Sequence, residues 1–574
     1  MIIKDTIEDE INQVLKTKYH LQGFEFHIES SKNKAHGDYA TNAAMVLASI
    51  LKRDPMEIAE EIAGFMKTGN KLFGKIEAVR PGFINFYLSR DFLKNELNKM
   101  LKKGDEYGRV NIGKGKRAVV DYSAPNIAKK MHVGHLRSTI IGAAICNVHR
   151  FLGYKVIGDN HLGDWGTQFG KLIYMYKQKY GKKIKEDIKL EEMEKMYIDF
   201  HQKVKKNSSL EEKARLELKK LQDKDRFNYK LWQLFYEVSI GEFKRIYKIL
   251  EVHFDTWHGE SFYDYMLNDI VEQALGKGIA KESRGAVVIP LEKYDLPDFL
   301  IQKSDKAFLY STTDLATIKY RHEQYRPAKN IYVVASQQEL HFKQLFKSSQ
   351  LLGLSSDEHM MHIKFGLILG ANGKKMSTRE GEAVDLEDII NQGIGKAKKR
   401  ISRKNPNLSG KELDSTARIL ALGAIKYNDL SQNRLTDIRF DWDKMLSLES
   451  GSSPYLQYTY VRIKSIFNRG KVDLEKIKKK IDLNLLKEDI ELKIIRDLVK
   501  FPEAVKSSSD ECKLNLIAIY LEELAKDFHV FYENLSVLQA ADDLSRARLG
   551  LLEAIAVTIK SGLLLLGIHV PKKM

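Results

Sequence analysis

The stretch from Ser123 to Thr139 (SAPNIAKKMHVGHLRST) constrains the fold of this chain more than any other. It follows Arg117–Tyr122 (RAVVDY), an apolar run that reads as a buried strand. After it, Leu136–Phe151 carries apolar residues at helical spacing. A strand, a short loop with two histidines around a glycine, and a helix N-terminus make a place to hold a phosphate, because the first-turn amides lack intrahelical partners. Gly134 has no side chain, so a flat base is expected to lie against the backbone there. His132 and His135 can hydrogen-bond an α-phosphate as charge builds on it. Far downstream, Gly373-Lys374-Lys375-Met376-Ser377-Thr378 offers a mobile basic loop for the outer phosphates.

At 574 residues the chain is too long for one core, and three or four domains are expected. Its net charge of +17 fits a polyanionic partner, since lysines and arginines neutralise phosphates and release counterions. Two cysteines, Cys146 and Cys512, exclude a cysteine-rich zinc module and argue against a disulfide framework, which points to a reducing compartment. The N-terminus begins with acidic residues around the stripe Ile7, Ile11 and Val14 rather than a secretory pattern. The most apolar stretch, Gly562 to Val570, is too short to span a bilayer. A cytoplasmic chain with no membrane partner is the expectation.

The pattern divides the chain in three. Residues 1–110 read as a small α/β module with an opening amphipathic helix, an extended piece Glu25–Glu29, a loop His36–Asn42 and a strand Gly82–Leu88. Residues 111–404 alternate strands and helices as a doubly wound sheet would, with strands expected at Lys155–Gly158, Ala286–Pro290, Asn330–Ala335 and His362–Leu369. Within this part, residues 181–230 are rich in lysine and glutamate and read as an inserted helical hairpin. Its turn falls at Asn207–Ser209, and Ser209 and Glu212 have capping-box spacing. The hairpin's charge is read as a solvated face. Residues 405–574 are helical throughout.

In this order and separation, the two histidines and the lysine loop resemble the HIGH and KMSKS motifs of class I aminoacyl-tRNA synthetases. The words around them, Ser-Ala-Pro-Asn-Ile-Ala-Lys before and Gly158-Asp-Asn-His-Leu-Gly-Asp-Trp-Gly-Thr-Gln-Phe-Gly170 after, resemble the arginyl type over essentially the whole chain. The resemblance implies a Rossmann-type catalytic domain between an N-terminal tRNA D-loop-recognition domain and a helical DALR-type anticodon-binding domain. It implies attack of the L-arginine carboxylate on the α-phosphate of ATP, supplied with Mg²⁺, followed by arginyl transfer to tRNA(Arg). His132 and His135 would stabilise the α-phosphate, Lys375 the outer phosphates, and Lys129 is a second candidate. Gly134, Met376 and Ser377 would complete the ATP contacts. Activation is expected only with tRNA bound, by a monomer with no structural zinc.

A guanidinium donates in pairs to matching carboxylates. The resemblance assigns it to Tyr310 and Asp314, four apart and so on one face of a helix, with Glu260 as a second carboxylate. Asn126, His135 and Gln338 would orient the α-amino and carboxylate groups, and Asp121 is a further contact. Ala124 stands where the family has a second serine, so only a backbone contact survives there. Arg379 replaces a serine of the lysine motif. The 240 positions between His135 and Lys375 leave no room for a large editing domain, and a carboxylate left unpaired by lysine or citrulline makes one unnecessary.

For tRNA, the resemblance points to Phe83 and Asn85, which alternate to one face of their strand, and to Tyr458, Tyr532 and Met574. Tyrosines near arginines can stack on unpaired bases. Tyr455 and Phe531 read as core, and Arg546 and Arg548 as salt-bridge partners as readily as RNA contacts. Three other readings compete. Small nucleotidyltransferases share His-x-Gly-His but lack the lysine loop and the flanking modules. A binding-only relative would have no need of all these residues together. Cysteinyl and methionyl types usually need cysteine-ligated zinc, which two cysteines cannot supply.

Overall fold

The computed structural model describes residues 2–574 apart from 32–35, 68–69, 356–359, 371–372, 374–375, 377–383 and 474–480. The chain forms two compact units, one of residues 1–110, 448–564 and 569–574, the other of 111–447 and 565–568.

The first unit opens with α1 (Ile3–Lys18), whose Ile3, Ile7, Ile11, Val14 and Leu15 form one buried stripe. Strands β1 (Ile28–Ser30) and β2 (Tyr39–Thr41), helices α2 (Ala43–Leu51) and α3 (Pro55–Lys67), strands β3 (Phe73–Val79) and β4 (Phe83–Leu88), and α4 (Arg90–Lys103) follow. The four strands form an antiparallel sheet in the order β1-β2-β4-β3. The loop expected at His36–Asn42 therefore contains β2. The Ser89 hydroxyl caps α4 by accepting from the Phe92 amide at 3.1 Å. This module packs with the C-terminal helices of the same unit. Tyr39 donates to Glu503 at 3.0 Å, and Arg496 pairs with Asp38 at 3.1 Å.

The second unit is built on β5 (Arg117–Asp121), α5 (Val133–Phe151) and β6 (Lys155–Asp159). Four helices follow: α6 (Thr167–Tyr180), α7 (Leu190–Lys206), α8 (Ser209–Gln222) and α9 (Arg226–Leu250). Next come the 3-10 turn Glu260–Met266, α10 (Leu267–Gly276), and the short strands β7 (Lys281–Ser283), β8 (Ala286–Ile289) and β9 (Phe299–Gln302). Then α11 (Tyr310–Tyr325), β10 (Lys329–Tyr332), α12 (Glu339–Leu351) and β11 (Met360–His362) complete the sheet. The last elements are β12 (Ile368–Leu369), α13 (Leu386–Lys404), α14 (Gly410–Leu430), β13 (Ile438–Arg439) and α15 (Trp442–Met445).

The central sheet is parallel, in the order β11-β10-β5-β6. Ala118, Val119 and Val120 of β5 are fully buried, as a strand covered on both faces requires. The chain leaves β5 toward β6 on one side and later returns to β10 on the other. The switch point therefore lies between β5 and β10, and ligands bind outside the carboxyl ends of the strands there.

Several expectations are corrected. The strand at Ala286 belongs to a separate antiparallel sheet, β7-β8-β9, because neighbours of opposite direction pair on both of its edges. The run His362–Leu369 splits between β11 and β12, which pair with different partners. At the α7–α8 turn Ser209 is not the cap; it donates its amide and hydroxyl to Asn207 Oδ1 at 3.1 and 2.8 Å. Helices α13 and α14 stay with the second unit, so the division falls after Ser447 rather than near 405. One reason is the buried pair Arg137–Asp429, which binds α14 to α5 at 2.8 Å. Among the described residues no helix is long and apolar enough to cross a membrane.

Candidate active site

The loop from β5 to α5 is held from below. Ser123 donates its amide to the Ser138 hydroxyl at 2.8 Å, and its own hydroxyl meets Thr139 and Tyr247, each at 2.7 Å. Ser123, Ala124 and Ala128 all take positive φ (73°, 48° and 61°), a strained path of the kind that clusters at functional sites. Ala124 keeps a backbone contact, its amide donating to Asn160 Oδ1 at 3.1 Å. Asn126 lies exposed in a backbone bridge to Gly163. A Cβ on Gly163 would stand 1.9 Å from Asn126 Oδ1, so this close approach requires glycine.

His132 is the N-cap of α5. Its Nδ1 accepts the Gly134 amide at 3.0 Å, while the His132 amide donates to His135 Nδ1 at 3.2 Å. With both Nδ1 atoms accepting, the ring proton of each neutral imidazole sits on Nε2. The two rings lie 4.0 Å apart. Burial first, then the neighbouring His132, push the His135 pKa down to about 3, so this ring is neutral at physiological pH. Gly134 also serves the cap. A Cβ would meet His132 Cε1 at 2.7 Å, so the glycine makes room for the imidazole on the helix end.

Lys129 is half-buried, and burial lowers its pKa. Lys375 and Ser377, like Lys374 and Arg379, lie outside the described residues, and only Gly373 and Met376 of that motif are described. The flank that follows pairs with the histidine loop. The Val133 amide donates to the Val384 carbonyl at 3.0 Å and the Leu386 amide to the Met131 carbonyl at 3.1 Å.

A second group of side chains lies around the start of α11. Tyr310 and Asp314 do share a face, and both meet His341 of α12. His341 Nε2 lies 2.6 Å from Asp314, and the Tyr310 ring packs on the imidazole at 4.9 Å. His161 Nε2 stands 4.0 Å from the same carboxylate, and its buried Nδ1 has no partner among the described residues. Glu260 opens the adjacent 3-10 turn. Burial, with further repulsion from Asp164 and Asp314, raises its pKa to about 7. Asp164 is buried and accepts from the Ser261 amide and hydroxyl at 2.8 and 2.6 Å. Gly259 permits that, because a Cβ would lie 2.5 Å from the Asp164 carboxylate.

Asp121 does not join this group. It is 5% exposed, and Arg321 of α11 donates to it at 2.7 Å and to Asp159 at 2.6 Å. The ends of β5 and β6 are thereby bound to α11, and the carboxylate is occupied. Gln338 is exposed at the N-cap of α12. Sequence reasoning missed His161, Asp164, Arg321 and His341. His161 and Asp164 stand inside the Gly158–Gly170 word, whereas nothing local marks Arg321 or His341.

In the first unit Phe83 and Asn85 share a face of β4, but only Phe83 is exposed, at 39%, and Asn85 is buried at 3%. Tyr458 lies on α16 (Ser453–Arg469) and Tyr532 on the helix Asn515–Asn534. They flank Arg462, whose guanidinium lies 4.2 Å from the Tyr532 ring and 5.9 Å from that of Tyr458. Hydrogen bonding from Arg469, then Arg462, holds the Tyr532 phenol below its usual pKa. Phe531 is fully buried and Arg548 pairs with buried Glu491 at 2.8 Å, whereas Met574 is half-buried.

A parallel sheet whose first crossover helix is capped by His-x-Gly-His, with a Lys-Met-Ser sequence downstream, defines the class I aminoacyl-tRNA synthetases. Residues 96–442 match the family of class I (R) tRNA synthetase catalytic domains, 1–88 the arginyl tRNA synthetase N-terminal domain, and 456–574 the DALR anticodon binding domain. The arginine–tRNA ligase of Fusobacterium nucleatum is 41% identical over 95% of both chains. That of Halothermothrix orenii is 41% identical over 99% of this chain and 98% of its own. The arginyl-tRNA synthetase of Plasmodium falciparum superimposes with a TM-score of 0.85 at 27% identity, covering 100% of this chain and 99% of that one. The chain belongs to the arginyl-tRNA synthetase family.

Proposed function

We propose that the pocket at the switch point activates L-arginine with ATP and passes the arginyl group to tRNA(Arg). The arginine carboxylate attacks the α-phosphorus in line, and pyrophosphate leaves. Positioning and charge stabilisation carry such a step. The Nε2–H groups of His132 and His135 donate to the α-phosphate as its charge grows, and a neutral His135 suffices because the attacking carboxylate is already ionised and has no proton to give up. Lys129, and Lys375 of the downstream motif, neutralise the outer phosphates together with the Mg²⁺ that accompanies ATP. Asn126 and Gln338, with His135, orient the α-amino and carboxylate groups.

The observation that carries the arginine assignment is the acidic group of Glu260 and Asp314, half-buried beside histidines and without a lysine or arginine of its own among the described ion pairs. A guanidinium placed between them supplies the missing cation and returns Glu260 to its ionised form. The Phe83 ring and the Tyr458–Arg462–Tyr532 group offer stacking faces for unpaired tRNA bases. The test is arginine-dependent ATP–pyrophosphate exchange with and without tRNA. Exchange with arginine alone among the amino acids, appearing on addition of tRNA, is the expected result. Exchange supported by another amino acid overturns the assignment of the acidic group.

A further inference from the structure

Helix α7, part of the inserted hairpin, faces the lysines that precede the histidines. Lys130 pairs with Glu191 at 3.2 Å and with Asp385 at 3.6 Å. Lys129 has no carboxylate within ion-pair distance among the described residues. Its Nζ lies 4.3 Å from the centre of the Tyr197 ring. Glu191, Glu194 and Tyr197 are three apart along α7 and so follow one side of the helix. Glu194 acts on Lys129 through space, offsetting the burial and the repulsion from Lys171.

The two adjacent lysines are thus held in different ways. Two carboxylates compete for Lys130 with any incoming phosphate. An aromatic face attracts an ammonium more weakly than a phosphate does, and it leaves all three N–H groups undonated. It can hold Lys129 in place while its N–H groups donate to the phosphates of ATP. Asp385 connects the same region to the site, since it forms a backbone bridge with His132. Arg245 of α9 adds a second tie, pairing with Glu387 in the next residues of α13.

We infer that α7 holds Lys129 over the ring of Tyr197 with its N–H groups available to the ATP phosphates, and that Tyr197 is a positioning residue for the activation step. This rests on the reading of Lys129 as a phosphate ligand. The inserted hairpin then has a role in activation besides its solvated faces.

The experiment measures KM for ATP and kcat in arginine-dependent pyrophosphate exchange, with tRNA present, for Tyr197→Leu, Tyr197→Phe, Lys129→Ala and the Tyr197→Leu/Lys129→Ala double variant. Tyr197→Leu is expected to raise KM for ATP about three- to tenfold, the scale of a partly desolvated cation–π contact. KM for arginine should stay unchanged. Tyr197→Phe keeps the ring and should restore the wild-type value. In the double variant the leucine should add nothing to the effect of Lys129→Ala, because the two act through one contact. If Tyr197→Leu is silent, or multiplies the Lys129→Ala effect, the inference fails. If Lys129→Ala alone leaves ATP kinetics unmoved, the reading of Lys129 fails instead. Tyr197→Met, which keeps apolar bulk, replaces the leucine variant if that one does not fold.

Discussion

Two groups of carboxylates in the catalytic unit handle charge in opposite ways. Asp121 and Asp159 close on the guanidinium of Arg321, which is 1% exposed, and the chain itself supplies their cation. Glu260, Asp164 and Asp314 have hydroxyl, amide and imidazole neighbours instead. Burial raises the pKa of Glu260 to about 7, the mark of a carboxylate without its counter-charge. On the function proposed above, the difference separates a structural guanidinium from a substrate one. Buried carboxylates that already hold an arginine lock strands to a helix, and those that lack one can take it from solution.

The largest effect that would sharpen this contrast is on stability. Arg321→Leu leaves two buried carboxylates unpaired and should destabilise the catalytic unit by about 3–5 kcal/mol. A fall in its denaturation midpoint checks this. A variant of unchanged stability that no longer binds arginine would make the two groups a single site and break the comparison.

Next in size is Asp314→Asn. Removing one partner of a buried guanidinium should lower kcat/KM for arginine about 100- to 1,000-fold, the equivalent of about 3–4 kcal/mol. The thermal midpoint should hardly move, because Asp314 ties no strand to its helix. A comparable loss of stability would place it with Asp121.

Glu260 gives a pH signature. The protonated acid cannot pair with a guanidinium as a carboxylate does, so binding must release its proton. Arginine affinity should therefore fall as pH drops through about 7 and approach a tenfold loss per unit below that value. Equilibrium binding between pH 6 and 8.5 measures it. In Glu260→Gln this limb should disappear, and a limb that persists assigns the proton to another group.

The smallest effect belongs to His341→Gln, which keeps a donor near Asp314. A few-fold rise in KM for arginine is expected, on the order of 1 kcal/mol for one adjusted hydrogen bond. A loss as large as that of Asp314→Asn would make the imidazole a direct partner of the substrate.

The strand–loop–helix around His132 was legible in sequence because its parts are local. An apolar run marks β5, and a histidine pair three residues apart must meet in the first turn of α5. The pairing of Tyr310 with Asp314 was legible for the same reason, since helical spacing alone puts them together. The burial of Asp121 and Asn85 was not legible, because burial is settled by elements distant in the chain. Arg321 reaches Asp121 across 200 positions, and no local spacing encodes that meeting. The imidazole beside Gly134 was not legible either, since it folds back only when His132 caps the helix.

The sequence by itself determined the histidine and lysine motifs, the strand and helix on either side of the histidines, and the family to which the chain belongs, because these follow from residue type and short-range periodicity. Tertiary structure alone decided which carboxylate receives a guanidinium from the chain and which stands without one. It also set which lysine is ion-paired and which rests on an aromatic ring. Those assignments depend on burial and on electrostatic contacts between segments far apart in sequence, which exist only once the sheet and its helices have packed.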